Sequence, residues 1–204
     1  MLLDVLPALL EQNGGGVQLL VCGRANSSDS YAARCAQQMT ALCAKYPNQF
    51  WASPHTYFDH GQLATLGADF GVMPSLYEPC GLVREEFFAA GTPLICSTVG
   101  ALMERVKPYD TDSKSGEGLL FSAHSHGSLL EALQTALRLY HDTPHYEALR
   151  ANAHAAACDV ADTAWTWQCE LQRLRACLTG VSDRQLEWSG EMLEGGHMGG
   201  RVAV

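Results

Sequence analysis

The 204-residue sequence is short of positive charge, of long apolar runs and of paired cysteines, and each shortage narrows what it can be. It carries 13 Lys and Arg against 22 Asp and Glu, a formal charge of -9, with a pI near 5.2. A protein that grips phosphate backbones shows a basic footprint, so the charge argues against a generic backbone binder and no nucleic-acid partner is expected. No apolar run reaches the roughly 18 residues that a membrane-spanning helix needs, so no membrane partner is expected either. The first apolar stretch, Met1 to Leu10, is interrupted by Asp4 and Pro7 and has no basic start, so it does not read as a secretory signal. The eight cysteines are scattered without any C-x-x-C. They read as small hydrophobes in a reducing compartment, cytosol or plastid stroma, and not as a zinc site or a disulfide framework. His124 and His126 have no cysteine or carboxylate cluster beside them, so they read as loop residues and no metal is expected.

What is present is the composition of an ordinary globular protein, 47% hydrophobic and 8% aromatic, enough for one sizeable core. Periodicity alternates helices with short apolar strands. Residues 1–12 predict a helix that stops at Asn13-Gly14-Gly15-Gly16, and Val17–Cys22 a strand of the continuous, doubly buried kind. Residues 28–45 predict an amphipathic helix, Gln49–Ser53 a short strand and His60–Leu66 a short helix. Asp69–Met73, Pro93–Ser97 and Gly118–Phe121 predict three more strands, with a helix from Leu82 to Ala90 and a Gly-containing turn after Ser97. Strand intervals of about 20 to 30 residues suit crossover helices, so the expected fold is α/β with a parallel sheet.

From Ser125 the pattern is helical only. Leu129, Leu130, Leu133 and Leu137 make one stripe, Thr143-Pro144 starts a second helix as cap and first helical residue, and Trp165 and Trp167 open a third as packing anchors. Three regions are expected: 1–124 as a Rossmann-like unit lacking its first strand and loop, 125–178 as helices packing on the same domain, and 179–204 as an irregular, flexible tail.

The stretch that carries chemistry is Ala68 to Val106, ADFGVMPSLYEPCGLVREEFFAAGTPLICSTVGALMERV. A buried strand ends at Met73, and a loop from Pro74 to Gly81 leads into a helix. Such a loop lies at the carboxyl end of a parallel strand, where open α/β sheets bind ligands. Gly81 permits close backbone approach, and the helix start offers unpaired N–H groups and a positive dipole end, a site suited to phosphate. Glu78 can accept hydrogen bonds from sugar hydroxyls, and Glu86 follows eight residues on.

Those residues resemble the donor-sugar motif of retaining glycosyltransferases of the GT-B architecture. PSLYEPCGL is most similar to the P-S-x-x-E-P-C-G-L signature of bacterial glycogen synthases and plant starch synthases. The resemblance implies a Rossmann-like parallel sheet flanked by helices, the C-terminal half of such an enzyme, with an all-helical C-terminal segment. It implies transfer of glucose from ADP-glucose or UDP-glucose to the 4-hydroxyl of an α-1,4-glucan, with no metal and no cofactor beyond the donor. By the same likeness Glu78 contacts donor hydroxyls as the catalytic-site carboxylate. The amides of Cys80, Gly81 and Leu82, with Gly100, face the sugar and diphosphate, while Glu86 and Tyr57 face the nucleotide. Val99-Gly100-Ala101-Leu102 departs from the family's T-G-G-L and puts a Cβ at residue 101 where the family has none. The family's diphosphate-neutralising Arg and Lys, and its acceptor domain, find no counterpart in these residues, so an upstream domain or a partner chain is expected to supply them. The alternatives are another retaining GT-B enzyme, of sucrose, trehalose-phosphate or cell-wall glycan type, and a non-catalytic sugar-nucleotide-binding remnant.

Overall fold

A computed structural model of the chain describes residues 1–26 and 28–179. Among the described residues, 1–157 form one compact unit and 158–179 belong to a second. The tail expected over 179–204 falls, past Thr179, outside the described residues.

The first unit starts with α1 (Leu2–Gln12), β1 (Leu19–Cys22) and α2 (Ser30–Lys45). The start of α2 is set by Asp29, whose carboxylate accepts the N–H groups of Tyr31 at 2.7 Å and Ala32 at 3.2 Å, an N-cap. β2 (Phe50–Ser53), α3 (Gly61–Gly67), β3 (Gly71–Met73), α4 (Leu82–Ala89) and β4 (Leu94–Ser97) follow. After β4 comes α5 (Gly100–Arg105), a six-residue helix where the sequence reads as a turn. β5 (Gly118–Phe121), α6 (His126–His141) and α7 (Thr143–Ala155) complete the unit. Asp142 rather than Thr143 takes the N-cap of α7, and Pro144 lies in its first turn, where a missing N–H costs no hydrogen bond. His126 is the first residue of α6 rather than a loop residue, and its Nε2 lies 3.1 Å from Asp4 Oδ2.

Every strand pairing is parallel, but the strands form two sheets and not one. β1 pairs with β2, from Leu19 opposite Phe50 to Cys22 opposite Ser53. β4 lies between β3 and β5, with Leu94 opposite both Gly71 and Gly118. β1 and β3 each have a partner on one edge only, which divides what strand spacing alone presents as a single sheet.

Alternating side chains distribute the three-stranded sheet between two cores. On one face Ile95 and Phe121 pack with Val5 and Leu9 of α1 and with Leu129, Ala132, Leu133 and Ala136 of α6. On the other, Met73, Leu94 and Cys96 pack with Phe88 of α4, Leu102 of α5 and Ala153 of α7. All four residues of β4 are buried, so each apolar side chain there contributes on the order of 1.5–3 kcal/mol. A third cluster joins Leu3, Leu6 and Leu10 of α1 to Leu42, Tyr46 and Phe50. Tyr146 of α7 donates its hydroxyl to Asp69 at 3.1–3.2 Å, just before β3. Burial, reinforced by the Asp69 charge, pushes that phenol well above its usual range.

The second unit begins with α8 (Val160–Thr179). Trp165 and Trp167 lie in its second turn.

Candidate functional site

Because β3, β4 and β5 run parallel, their carboxyl ends share one edge of the sheet. The loop 74–81 leaves β3 at that edge and is fixed from three directions. From β4, the buried Ser97 donates its hydroxyl to the carbonyl of Ser75 at 2.6 Å. From α5, the Ala101 N–H donates to the carbonyl of Glu78 at 3.0 Å. The third tie is Arg105, at the end of α5, whose Nη1 donates to the Cys80 carbonyl at 2.8 Å.

Arg105 belongs to a small ionic cluster. Its Nη2 pairs with Glu85 Oε1, and that same oxygen accepts from Arg84 Nη1 at 2.6 Å. The Arg84 guanidinium is buried against the Phe88 ring, 4.2 Å from its centroid. The loop's Cys80 carbonyl is thus tethered to charges anchored in the core behind α4.

Two glycines make this arrangement possible. Gly81 caps α4 in the left-handed conformation, φ +74°, with a side chain's space already bordered by Leu102. Gly100 has φ +47°, and a Cβ there would sit inside the carbonyl oxygen of Glu78. Ala101, the departure noted in the sequence, does not adopt positive φ: among the described non-glycine residues only Asn48, Lys114 and His124 do. The position that demands glycine is 100, and glycine stands there.

The Glu78 carboxylate is half-buried and turned into its own loop. Oε1 accepts the Gly81 N–H at 3.0 Å, and Oε2 accepts the Ser75 hydroxyl at 3.2 Å. An ionised carboxylate offers about four lone-pair positions, so each oxygen keeps capacity for another donor. The Gly81 amide, in contrast, is already engaged. Leu82 and Cys80 are exposed at the helix start, where the first N–H groups have no intrahelical acceptor and the dipole end is positive. The rim therefore offers hydrogen-bond acceptors for hydroxyls next to donors for an anion.

Glu78, Cys80, Gly81, Leu82 and Gly100 come together in this one constellation. Glu86 stands apart from it: it is exposed on α4 and lines a cleft shared with β1, β3 and α6. Tyr57 lies in the segment between β2 and α3, 78% exposed, and lines neither feature. Ser97, Glu85 and Arg105 hold the loop without having been singled out from the sequence. Ser97 could have been flagged as a hydroxyl at the carboxyl end of a parallel strand, but nothing in the sequence links Glu85 to Arg105 twenty residues on.

Residues 1–156 match the family model described as "Glycosyl transferases group 1". Among curated proteins, the chain is 38% identical over 117 residues to a glycogen synthase from Opitutus terrae, covering 57% of this chain and 24% of that protein. It is 34% identical over 152 residues to one from Myxococcus xanthus, covering 74% of this chain and 29% of the other. It thus spans less than a third of the length of these relatives. Among solved structures, sucrose-phosphate synthase from Thermosynechococcus elongatus superposes with a TM-score of 0.65 at 26% identity, covering 86% of this chain and 42% of that one. Anabaena HepE in complex with UDP gives 0.66 at 23% identity, covering 83% and 44%. The catalytic domain of starch synthase IV from Arabidopsis thaliana, bound to ADP and acarbose, gives 0.65 at 18% identity, covering 85% and 35%. The last two likenesses concern the fold, which is that of the C-terminal half of a GT-B glycosyltransferase. With its family model matched across all of the first compact unit but Ala157, the chain belongs to the group 1 glycosyltransferases.

Proposed function

We propose that this chain is the donor-binding part of a retaining glucosyltransferase of the starch and glycogen synthase type. It would transfer glucose from ADP-glucose or UDP-glucose to the 4-hydroxyl of an α-1,4-glucan. The observation that carries the reading is the E-P-C-G-L loop: Glu78 and the α4 start are held side by side, with Gly100 beneath the Glu78 carbonyl. Similarity to glycogen synthases across 57–74% of the chain supports the same reading.

In this mechanism Glu78 accepts donor hydroxyls on the lone pairs that Ser75 and Gly81 leave open. The start of α4 faces the diphosphate, stabilising the charge that grows as the glycosidic C–O bond breaks. The departing phosphate oxygen takes the proton of the attacking 4-hydroxyl, so no enzyme nucleophile is required. Holding donor and acceptor in register supplies most of the rest. Basic residues for the diphosphate and the acceptor surface would come from an upstream domain or a partner chain, so the chain alone is expected to bind donor weakly and to turn over little.

A second reading, a GT-B enzyme acting on small acceptors, is favoured by Glu86, by V-G-A-L and by the 26% identity to a sucrose-phosphate synthase. Calorimetric titration with ADP, UDP and their glucose conjugates separates the two. Preference for ADP-glucose that Glu78→Ala removes supports the first reading, and preference for UDP compounds moves the assignment to the second. A folded chain that binds none of them means either that basic residues from an upstream domain are essential or that the site is dead, and rejoining such a domain tells the two apart.

A further inference from the structure

Tyr77 stands immediately before Glu78 in the loop 74–81 and is 80% exposed. Burial does not account for a large ring left in water. The side chain makes no hydrogen bond and no ring contact among the described residues. Its backbone, in contrast, is held on both sides. Ser97 ties the carbonyl of Ser75 at 2.6 Å, and the Ala101 N–H ties the carbonyl of Glu78 at 3.0 Å. Two other tyrosines are exposed without that support. Tyr31, on α2, has the Arg34 guanidinium 5.9 Å from its ring centre. Tyr57 lies among residues 55–59, which make no main-chain hydrogen bond among the described residues. Tyr77 therefore combines a free ring with a fixed point of attachment, the arrangement that lowers the entropy lost when a ligand settles on it.

The position of the ring bears on what it can meet. Leu76 and Glu86 line the cleft beside β1 and β3, whereas Tyr77 and Glu78 lie off it. The residue that family likeness assigns to the nucleotide is thus on the cleft side, and Tyr77 is not. A glucose ring in its chair form carries hydroxyls around its rim and axial C–H groups on its two faces, so it is an apolar plate with a polar edge. A tyrosine ring offers a matching flat surface at the cost of ordering two torsions. Next to it, both oxygens of Glu78 keep lone pairs for rim hydroxyls. A small phosphorylated acceptor would need a cation instead, and Arg105 is committed to Glu85 and to the Cys80 carbonyl.

Resting on the donor-site reading above, we propose that Tyr77 is a specificity-determining residue on the acceptor side of this site. Its ring is the surface on which the terminal glucose of an α-1,4-glucan stacks, turning the 4-hydroxyl towards the sugar held at Glu78. The two ties at Ser75 and Glu78 set donor contact and stacking surface in one register, the condition for a productive approach.

The test uses the full chain with maltopentaose as probe. Saturation-transfer NMR reads the glucan with and without ADP, and calorimetry reads nucleotide-sugar affinity on the same samples. Tyr77→Ala should lower the signal at the axial protons of the terminal ring at least fivefold. Tyr77→Phe, which keeps the ring face, should hold it within twofold, and Tyr31→Ala should leave it unchanged. Nucleotide-sugar affinity should stay within twofold of the parent chain in all three. A glucan signal indifferent to Tyr77→Ala overturns the proposal, as does an equal loss in Tyr77→Phe or in Tyr31→Ala. A matching loss of nucleotide-sugar affinity in Tyr77→Ala also overturns it, since the ring would then serve the donor. Absence of any glucan signal overturns it too, and the nucleotide-sugar titration then shows whether the donor-site reading stands without it. A Tyr77-dependent glucan signal in a folded chain that binds no nucleotide sugar upholds the stacking surface and counts against the donor-site reading.

Discussion

The two sheets are made from similar sequence and end in different surroundings. LLVC in β1 and LICS in β4 are both short apolar runs ending in or next to cysteine. In β4 every residue is buried, because α1 and α6 cover one face and α4, α5 and α7 the other. In β1 burial alternates: Leu19 and Val21 meet the α1–α2 core, whereas Leu20 is 49% exposed. A run of apolar residues reports that a strand is suited to burial on both faces. Whether it is buried depends on neighbours that the run itself does not encode. Trp51 of β2, 45% exposed, repeats the lesson.

The sharpest way to break this comparison is chemical. Cys22 is exposed and Cys96 is fully buried. Burial pushes the Cys96 thiol up to about 12. Alkylation of the native chain followed by peptide mapping should label Cys22 and leave Cys96 intact until the chain unfolds. A neutral buried thiol also sets a direction with pH. Below about pH 8.5, the unperturbed thiol value, both states are protonated and nothing changes. Above it the unfolded chain ionises while the fold does not, so stability falls as pH rises from there towards 12. Cys96→Ala should remove that part of the alkaline slope in urea titrations at pH 7 to 10.

Next in size is a pair of truncations. Phe88→Ala in the closed half should cost about 4 kcal/mol and Leu20→Ala in the open half about 0.5 kcal/mol or less, both read from urea midpoints. A Leu20→Ala cost close to that of Phe88→Ala would show that β1 is covered in solution. Gly100→Ala should cost about 3 kcal/mol, from unfavourable φ and collision with the Glu78 carbonyl, and should weaken donor binding beyond what stability explains. Smallest is Arg105→Ala, which frees the Cys80 carbonyl and should cost about 1 kcal/mol. Its mark should be a raised dissociation constant for the nucleotide sugar, restored in part by Arg105→Lys.

Most of the secondary structure was legible because its signals are local. Gly14 to Gly16 end α1, Asp29 caps α2, and the leucine stripe of α6 has helical period. The loop was legible for a different reason: E-P-C-G-L is a rare string. What stayed hidden involves geometry between distant segments. The turn of Glu78 into its own loop and the Glu85–Arg105 pair follow from how β3, α4 and α5 meet, which no periodicity reports. Ala101 misled for the same reason, since the backbone strain falls one residue earlier, at Gly100.

α1 places Leu3, Leu6 and Leu10 in one core and Val5 and Leu9 in another. It is also tied to α6 by Gln134 with Gln12 and by His126 with Asp4, each 122 residues apart in the chain. During synthesis this segment leaves the ribosome before its partner exists. At about 5 to 20 residues per second, some 6 to 24 s pass before α6 follows, and over that interval a helix with five core side chains has half its cover missing. A helix made before most of this unit is thus among the last parts that can settle, a delay during which a chaperone has the most to hold.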